Sequence, residues 1–342
     1  MREEELRELP GVAQQYLLYL RAVRGRSPLT VLEYASDLRT FFRWLAREER
    51  LVPPDTPWEQ IGLHTLTAET LSRVELYKVY EYISFCADVR GNSARTRKRK
   101  VVALRRFYRF LETEKIIKQN PLEHLEAPEG KSGLPKYLTV AQCQELLASI
   151  DGNHAARNYA IITLFLHCGL RLAELVGINL RDLRENELCV LGKGNKQRLV
   201  YLNDACLDAL GAYLPVRAAA LEAQEAAHAA QIRRAHAKGI EMDESLPKSP
   251  DALFLSNRKT RISRRMVEAV VYKFLEKAGL DAPGMSTHKL RHSAATMYYQ
   301  HGVDIVVIKE MLGHENLSTT QIYTHVSNSQ LRDAAEHNPL LQ

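Results

Sequence analysis

The sequence predicts a mainly α-helical protein of two domains that carries one small β-hairpin. Three observations predict it. Apolar residues recur at helical spacing through most of the chain. The run Glu129-Gly-Lys-Ser-Gly-Leu-Pro135 interrupts that pattern near the middle. Two short β-prone runs flank a Gly-Lys-Gly-Asn-Lys tip after it. The expected division is a helical domain over 1–128, a linker over 129–136 and a second domain over 137–342.

In the first domain, Tyr16, Leu17, Tyr19 and Leu20 lie in a helix over Val12–Val23. Ser27 caps the next helix and Pro28 takes its first position, where a missing N–H costs nothing. Leu32, Leu38, Phe41, Phe42 and Leu45 follow at helical spacing, and the Pro-rich run Val52–Pro57 ends the pattern. A third helix follows Thr67 and runs through Leu76, Val79, Tyr80 and Ile83. A fourth is expected from Ser93 to about Ile117. It places Leu104, Phe107, Tyr108 and Leu111 on one face and Arg95, Lys98, Arg99, Arg105, Arg106 and Arg109 on the opposite one. Such a face can simply be solvated. Here no Asp or Glu occurs from Arg95 through Phe110, so ion pairs along the helix cannot offset the repulsion. Phosphates are the expected neutralising partner.

The second domain opens with a capping box, Thr139-x-x-Gln142, and a helix to about Ile150. Tyr159–His167 is mostly apolar and reads as a buried helix; it ends at Gly169, just before Arg171. Leu188–Leu191 and Arg198–Tyr201 form the hairpin, with Lys193 and Lys196 at its tip. Ala218–Ala237 is an Ala-rich, solvent-facing helix, Met242–Pro250 a loop and Ser263–Ala278 a helix. Pro283-Gly284 turns the chain into a helix carrying His288 and Arg291, which Thr287 is expected to cap. A further capping box, Ser318-x-x-Gln321, puts Tyr323 in the first turns of a short helix.

The net charge of +6 and a pI near 9.0 favour an anionic partner. Five scattered cysteines without CxxC spacing exclude a disulfide framework or zinc site and fit a reducing cytosol. The charged start M-R-E-E-E-L-R-E-L lacks the apolar run of a signal peptide. No stretch approaches the roughly 18–20 apolar residues of a membrane span, so no membrane role is expected. Gly192-Lys193-Gly194 is not a P-loop, and the clustered carboxylates of a two-metal nuclease are missing around these motifs. What stands between Ser286 and His325 is a set of nitrogen donors and one phenol: His288, Arg291, His314 and Tyr323. That set suits a phosphodiester, with donors on the non-bridging oxygens and the phenol attacking phosphorus.

C-G-L-R-L-A-E-L around Arg171, G-K-G-N-K-Q-R around Lys193, T-H-K-L-R-H around His288 and Arg291, L-G-H at His314 and T-T-Q-I-Y-T-H around Tyr323 occur in this order. In order and separation they resemble the tyrosine recombinases, or phage-type integrases, and above all the Xer branch. The resemblance covers nearly the whole chain. It implies a clamp of two domains on duplex DNA: a helical SAM-like core-binding domain and a mixed α/β catalytic domain. It implies that Arg171 and Arg291 hold the scissile phosphate, that His314 adds a hydrogen bond, and that His288 accepts or relays a proton. Lys193 would protonate the leaving 5′ oxygen, and Tyr323 would form a 3′-phosphotyrosyl bond. Lys196, the alternative at the hairpin tip, is expected at backbone phosphate with Arg198, while Glu174 and His292 are expected to support the site. Ser27, Thr30 and Tyr34 join the basic helix as expected DNA contacts. No cofactor and no metal is implied. The implied partners are a double-stranded recombination site, a homo-tetramer on two sites or a hetero-tetramer with a second recombinase, and an activator protein; the implied setting is the cytoplasm, at the nucleoid. Chromosome dimer resolution and mobile-element integration share this chemistry, and the Xer-like motifs favour the former. A topoisomerase of similar chemistry and an inactive DNA-binding accessory protein are the other readings.

Overall fold

The computed structural model describes residues 6, 8–128, 137–192, 196–237 and 251–313. Its contacts separate into two units, Met1–Gly133 and Leu134–Gln342.

In the first unit the described helices are α1 (Gly11–Ala22), α2 (Pro28–Glu48), α3 (Ala68–Ser72), α4 (Leu76–Asp88) and α5 (Ala94–Thr113). Ser27 caps α2 as its sequence predicts, accepting from the Thr30 N–H at 3.3 Å. Phe42 from α2, Phe107 from α5 and Tyr16 from α1 meet in the core, with Phe107 centroids 5.7 Å from Phe42 and 5.4 Å from Tyr16 in edge-to-face contact. Each such ring contributes roughly 1.5–3 kcal/mol by leaving water. Two elements differ from expectation. The single helix after Thr67 is divided into α3 and α4, because Val74 leaves the helical path to enter the core, 3% exposed. The basic helix stops at Thr113 rather than Ile117: Lys115 adopts a left-handed conformation, φ 57°, and Ile117 turns back into the core.

The second unit is built around α7 (Ala155–Cys168), whose Ala160, Ile161, Leu164 and Phe165 are wholly buried. Around it pack α6 (Val140–Ala148), α9 (Asp204–His236), α10 (Arg264–Lys277) and α11 (Thr287–Gln300). The capping box predicted at Thr139 and Gln142 is present. Between α8 (Leu172–Gly177) and α9 lies an antiparallel sheet in the order β1 (Leu183–Arg184), β2 (Glu187–Leu191), β3 (Gln197–Tyr201). The β2–β3 pair is the predicted hairpin, with Val190 opposite Arg198 and Leu188 opposite Val200.

Here too there are differences. The Ala-rich helix begins at Asp204, because its first turns carry Cys206, Leu210 and Tyr213 into the core. Ser286, not Thr287, stands at the cap position of α11 and makes no side-chain cap bond; Thr287 is the first helical residue and is buried. A helix that sequence periodicity leaves unassigned, α12 (Ile305–Leu312), is capped by Asp304 accepting from the Val306 N–H and ended by Gly313 at φ 65°. Met242–Pro250, the 129–136 linker and the Ser318–Gln321 capping box lie outside the described residues. No described helix is long and apolar enough to cross a membrane.

Candidate functional site

Arg171 and Arg291 are brought together by the ends of three helices. Helix α7 ends at Gly169 in the left-handed conformation, φ 56°, and a Cβ there would stand 2.6 Å from the Leu312 side chain. Glycine is therefore required both by the backbone angle and by the close approach of α12. The turn places Arg171 immediately before α8. Glu174, one turn on, reaches back to accept from the Arg171 backbone N–H at 2.8 Å. The same carboxylate accepts from Arg171 Nη1 at 2.6 Å.

Arg291 comes from α11 and is 5% exposed. Its Nη1 donates to the Gly169 carbonyl at 2.6 Å and lies 3.9 Å from Glu174 Oε2; its Nη2 donates to the Leu312 carbonyl at 2.7 Å. Arg171 Nη2 donates to the next carbonyl, Gly313, at 2.6 Å. The last carbonyls of a helix have no partner inside it and carry the negative end of its dipole. The end of α12 thus orients both guanidiniums. Burial alone would raise the pKa of Glu174, but the Arg198 charge and the bonds from Arg171 outweigh it and hold the carboxyl below its ordinary value.

His288 lies three residues before Arg291 on α11 and is exposed. His292 is buried; loss of water, then the Lys289 charge, push its pKa down to about 4, so at neutral pH it is an uncharged packing group facing the Tyr137 ring. Tyr298 donates to the His167 carbonyl at 2.8 Å and is packed. Lys193, His314 and Tyr323 lie outside the described residues.

Arg198, expected at a DNA phosphate, lies on the predicted hairpin strand and is engaged by protein groups. Its side chain is 13% exposed, donates to the Met311 carbonyl and reaches Glu174 Oε2 from Nη2 at 2.8 Å. Alternation along β3 puts it on the face of buried Val200, opposite buried Val190, so the strand period carried the signal that would have found it. Lys196 is exposed at the hairpin tip, where its carbonyl accepts from the Gly192 N–H at 2.7 Å.

In the helical unit the six basic residues Arg95, Lys98, Arg99, Arg105, Arg106 and Arg109 are all exposed, as their shared face predicts. No acidic residue stands from Arg95 through Phe110, but one meets this stretch in space. Asp37 of α2 pairs with Arg99 and, at 3.2 Å, with the buried Lys100. Burial raises the Asp37 pKa although Lys100 and Arg99 pull it down. Ser27 and Thr30 form the start of α2, with their hydroxyls 2.9 Å apart. Tyr34 is 9% exposed and its hydroxyl accepts from Arg106. Arg24 and Arg26, which sequence reading missed, line a recess of about 390 Å³ with Arg106, Arg109 and Tyr16. The signal was the basic run between α1 and α2, too short to carry a helical face.

Comparison with known proteins agrees with this geometry. The phage integrase family matches residues 136–330, and the phage integrase N-terminal SAM-like domain matches residues 13–115. Tyrosine recombinase XerC of Caldanaerobacter subterraneus subsp. tengcongensis is 44% identical over 99% of this chain and 89% of its own. Tyrosine recombinase XerD of Bifidobacterium longum is 33% identical over 92% of each chain. Among solved structures, XerH site-specific recombinase bound to palindromic difH substrate, a post-cleavage complex, shares the fold with a TM-score of 0.66 at 22% identity, covering 95% of this chain and 84% of that one. The chain belongs to the phage integrase family and is a tyrosine recombinase of the Xer type.

Proposed function

We propose that this enzyme cuts and rejoins duplex DNA through Tyr323, and that its task is the resolution of chromosome dimers. The phenolate oxygen of Tyr323 attacks the scissile phosphorus, the P–O5′ bond breaks and a 3′-phosphotyrosyl bond forms. Lys193 gives the leaving 5′ oxygen its proton, and His288 takes or relays the one lost by the phenol. A 5′ hydroxyl of a second strand then attacks the phosphotyrosine and restores the phosphodiester. One phosphodiester is exchanged for another, so the cycle needs no ATP, and the guanidinium donors supply at the phosphate the positive charge a divalent metal would otherwise supply. Four subunits on two sites exchange strands in pairs through a Holliday junction, as four copies of this chain or together with a second recombinase and an activator.

The observation that carries the reading is the pairing of Arg171 and Arg291 on one carboxylate and on adjacent carbonyls. Two fixed guanidiniums in a half-buried corner suit the charge that gathers on the non-bridging oxygens as phosphorus becomes five-coordinate. The exposed arginines of α5, with Arg24 and Arg26, supply phosphate contacts that set affinity and register. The Xer-type relatives support dimer resolution over mobile-element integration.

The test is a pair of assays with the full chain. Plasmids carrying two copies of a selected site should recombine, with equal activity in chelator. Relaxation of supercoiled plasmid without exchange between sites would make the enzyme a topoisomerase instead. DNA binding with no covalent species on a nicked duplex would make it an accessory protein.

A further inference from the structure

Three arginines from three elements close on the end of α12. Arg198 of β3 donates to the Met311 carbonyl, Arg291 of α11 to Leu312 at 2.7 Å, and Arg171 before α8 to Gly313 at 2.6 Å. Glu174 faces all three, 2.6 Å from Arg171, 2.8 Å from Arg198 and 3.9 Å from Arg291. The proposed chemistry uses Arg171 and Arg291. It leaves Arg198 without a task, although Arg198 is the arginine that joins the hairpin to this corner.

We propose that Arg198 is a positioning residue of the strand-cleavage reaction, fastening strand β3 to the exit of α12 through the Met311 carbonyl and Glu174. The inference rests on the recombinase reading above. Two stretches of chain leave from this fastening: the hairpin tip beyond Gly192, which carries Lys193, and the chain from His314 to Tyr323. With Arg198 in place their starting points are fixed to each other. The local chemistry calls for arginine. A planar fork donates to a carbonyl and a carboxylate at once, which a single ammonium does not do in the same geometry. Gly313 belongs to the same device: a Cβ there would stand 2.7 Å from Arg198 Cδ, at a backbone φ of +65°. The sequence suggests a different task, contact with a DNA phosphate, and the two make opposite predictions.

The experiment uses the full chain and a nicked duplex carrying the sequence that the unmodified protein selects from a random pool. Arg198→Gln, Arg198→Lys and Gly313→Ala are compared for DNA affinity across a salt series and for the rate of covalent adduct formation at saturating protein. The expected result for Arg198→Gln is unchanged affinity and salt slope with an adduct rate about 10- to 100-fold lower, the scale on which small misplacement acts. Lysine should not restore the rate. Gly313→Ala, which keeps the Arg198 charge, should slow the adduct in the same way. A slope smaller by about 0.9 in Arg198→Gln, with a normal rate at saturation, would overturn the proposal in favour of a phosphate contact. So would a normal rate in Gly313→Ala, which decides the matter by itself where Arg198→Gln does not fold. Failure of both to fold would make the fastening part of the core and also refute it. If the unmodified chain forms no adduct on any duplex, the recombinase reading fails and this inference goes with it; an adduct from the unmodified chain with a pure binding defect in Arg198→Gln counts against this inference alone.

Discussion

The exposed face of α5 and the corner where α8, α11 and α12 meet are both rich in arginine, and they use it in opposite ways. On α5, Arg105 and Arg109 stand in solvent with no carboxylate partner among the described residues. At the corner, Arg291 is 5% exposed and Arg171 and Arg198 are partly buried, each held by Glu174 and by one main-chain carbonyl at the end of α12. The difference is one of mobility. Solvated guanidiniums adapt to an irregular polyanion and act mainly through counterion release. Guanidiniums fixed by a buried carboxylate and a helix end are already oriented before substrate arrives, and preorganised charge is what stabilises a transition state. The first region should therefore set affinity, and the second, rate.

The strongest way to break this comparison is to remove a fixed guanidinium. Arg291→Ala should lower single-turnover adduct formation by about 10²–10³-fold, with DNA affinity little changed; a loss confined to affinity would erase the distinction. Next is the carboxylate that fixes them. Glu174→Leu leaves three arginines without their shared counter-charge, and an uncompensated buried charge costs on the order of 3–5 kcal/mol, read as a lower urea midpoint for the second unit. A smaller effect is predicted for pH. His292 has its pKa pushed down to about 4 in the folded chain, against an ordinary value near 6.5. Between those values the unfolded state binds more protons, so stability falls as pH drops from about 6.5 to about 4, by about 3 kcal/mol at most. Glu174, held below its ordinary value, adds a further loss only when pH falls through its own lower range. His292→Phe should flatten the first part of this acid limb, measured as urea midpoint against pH. The smallest effect is at α5. Arg105→Ala with Arg109→Ala should leave the adduct rate at saturation unchanged and reduce the log–log salt slope by about 0.9 per lost phosphate contact. Arg106 is a poorer choice, because it also holds the Tyr34 hydroxyl.

Local chemistry made much of this legible from sequence. The Ser27-Pro28 start, the Thr139–Gln142 capping box and the β2–β3 hairpin each lie within a few residues of chain, and all are present. Helix α12 was harder to see, because Ile305-Val306-Val307-Ile308 is β-branched and weak in helix propensity, although Asp304 and Gly313 marked its ends. The partners of the basic residues were not legible. Asp37 meets Arg99 across 62 positions of sequence, and Arg198 meets Met311 across 113. Periodicity assigns a face to a residue, but what stands against that face is decided by packing between distant elements.

In the proposed reaction a phenol from the far end of the chain attacks a phosphate held by two prepositioned arginines. The direct measurement is to incubate the full chain with a nicked duplex of its selected site in chelator, denature in detergent, digest, and locate the DNA-bearing peptide by mass spectrometry. The expected product is a nucleotide-linked peptide containing Tyr323, absent from Tyr323→Phe, which still binds DNA. A covalent species that persists in Tyr323→Phe, or one attached at another residue, would contradict it.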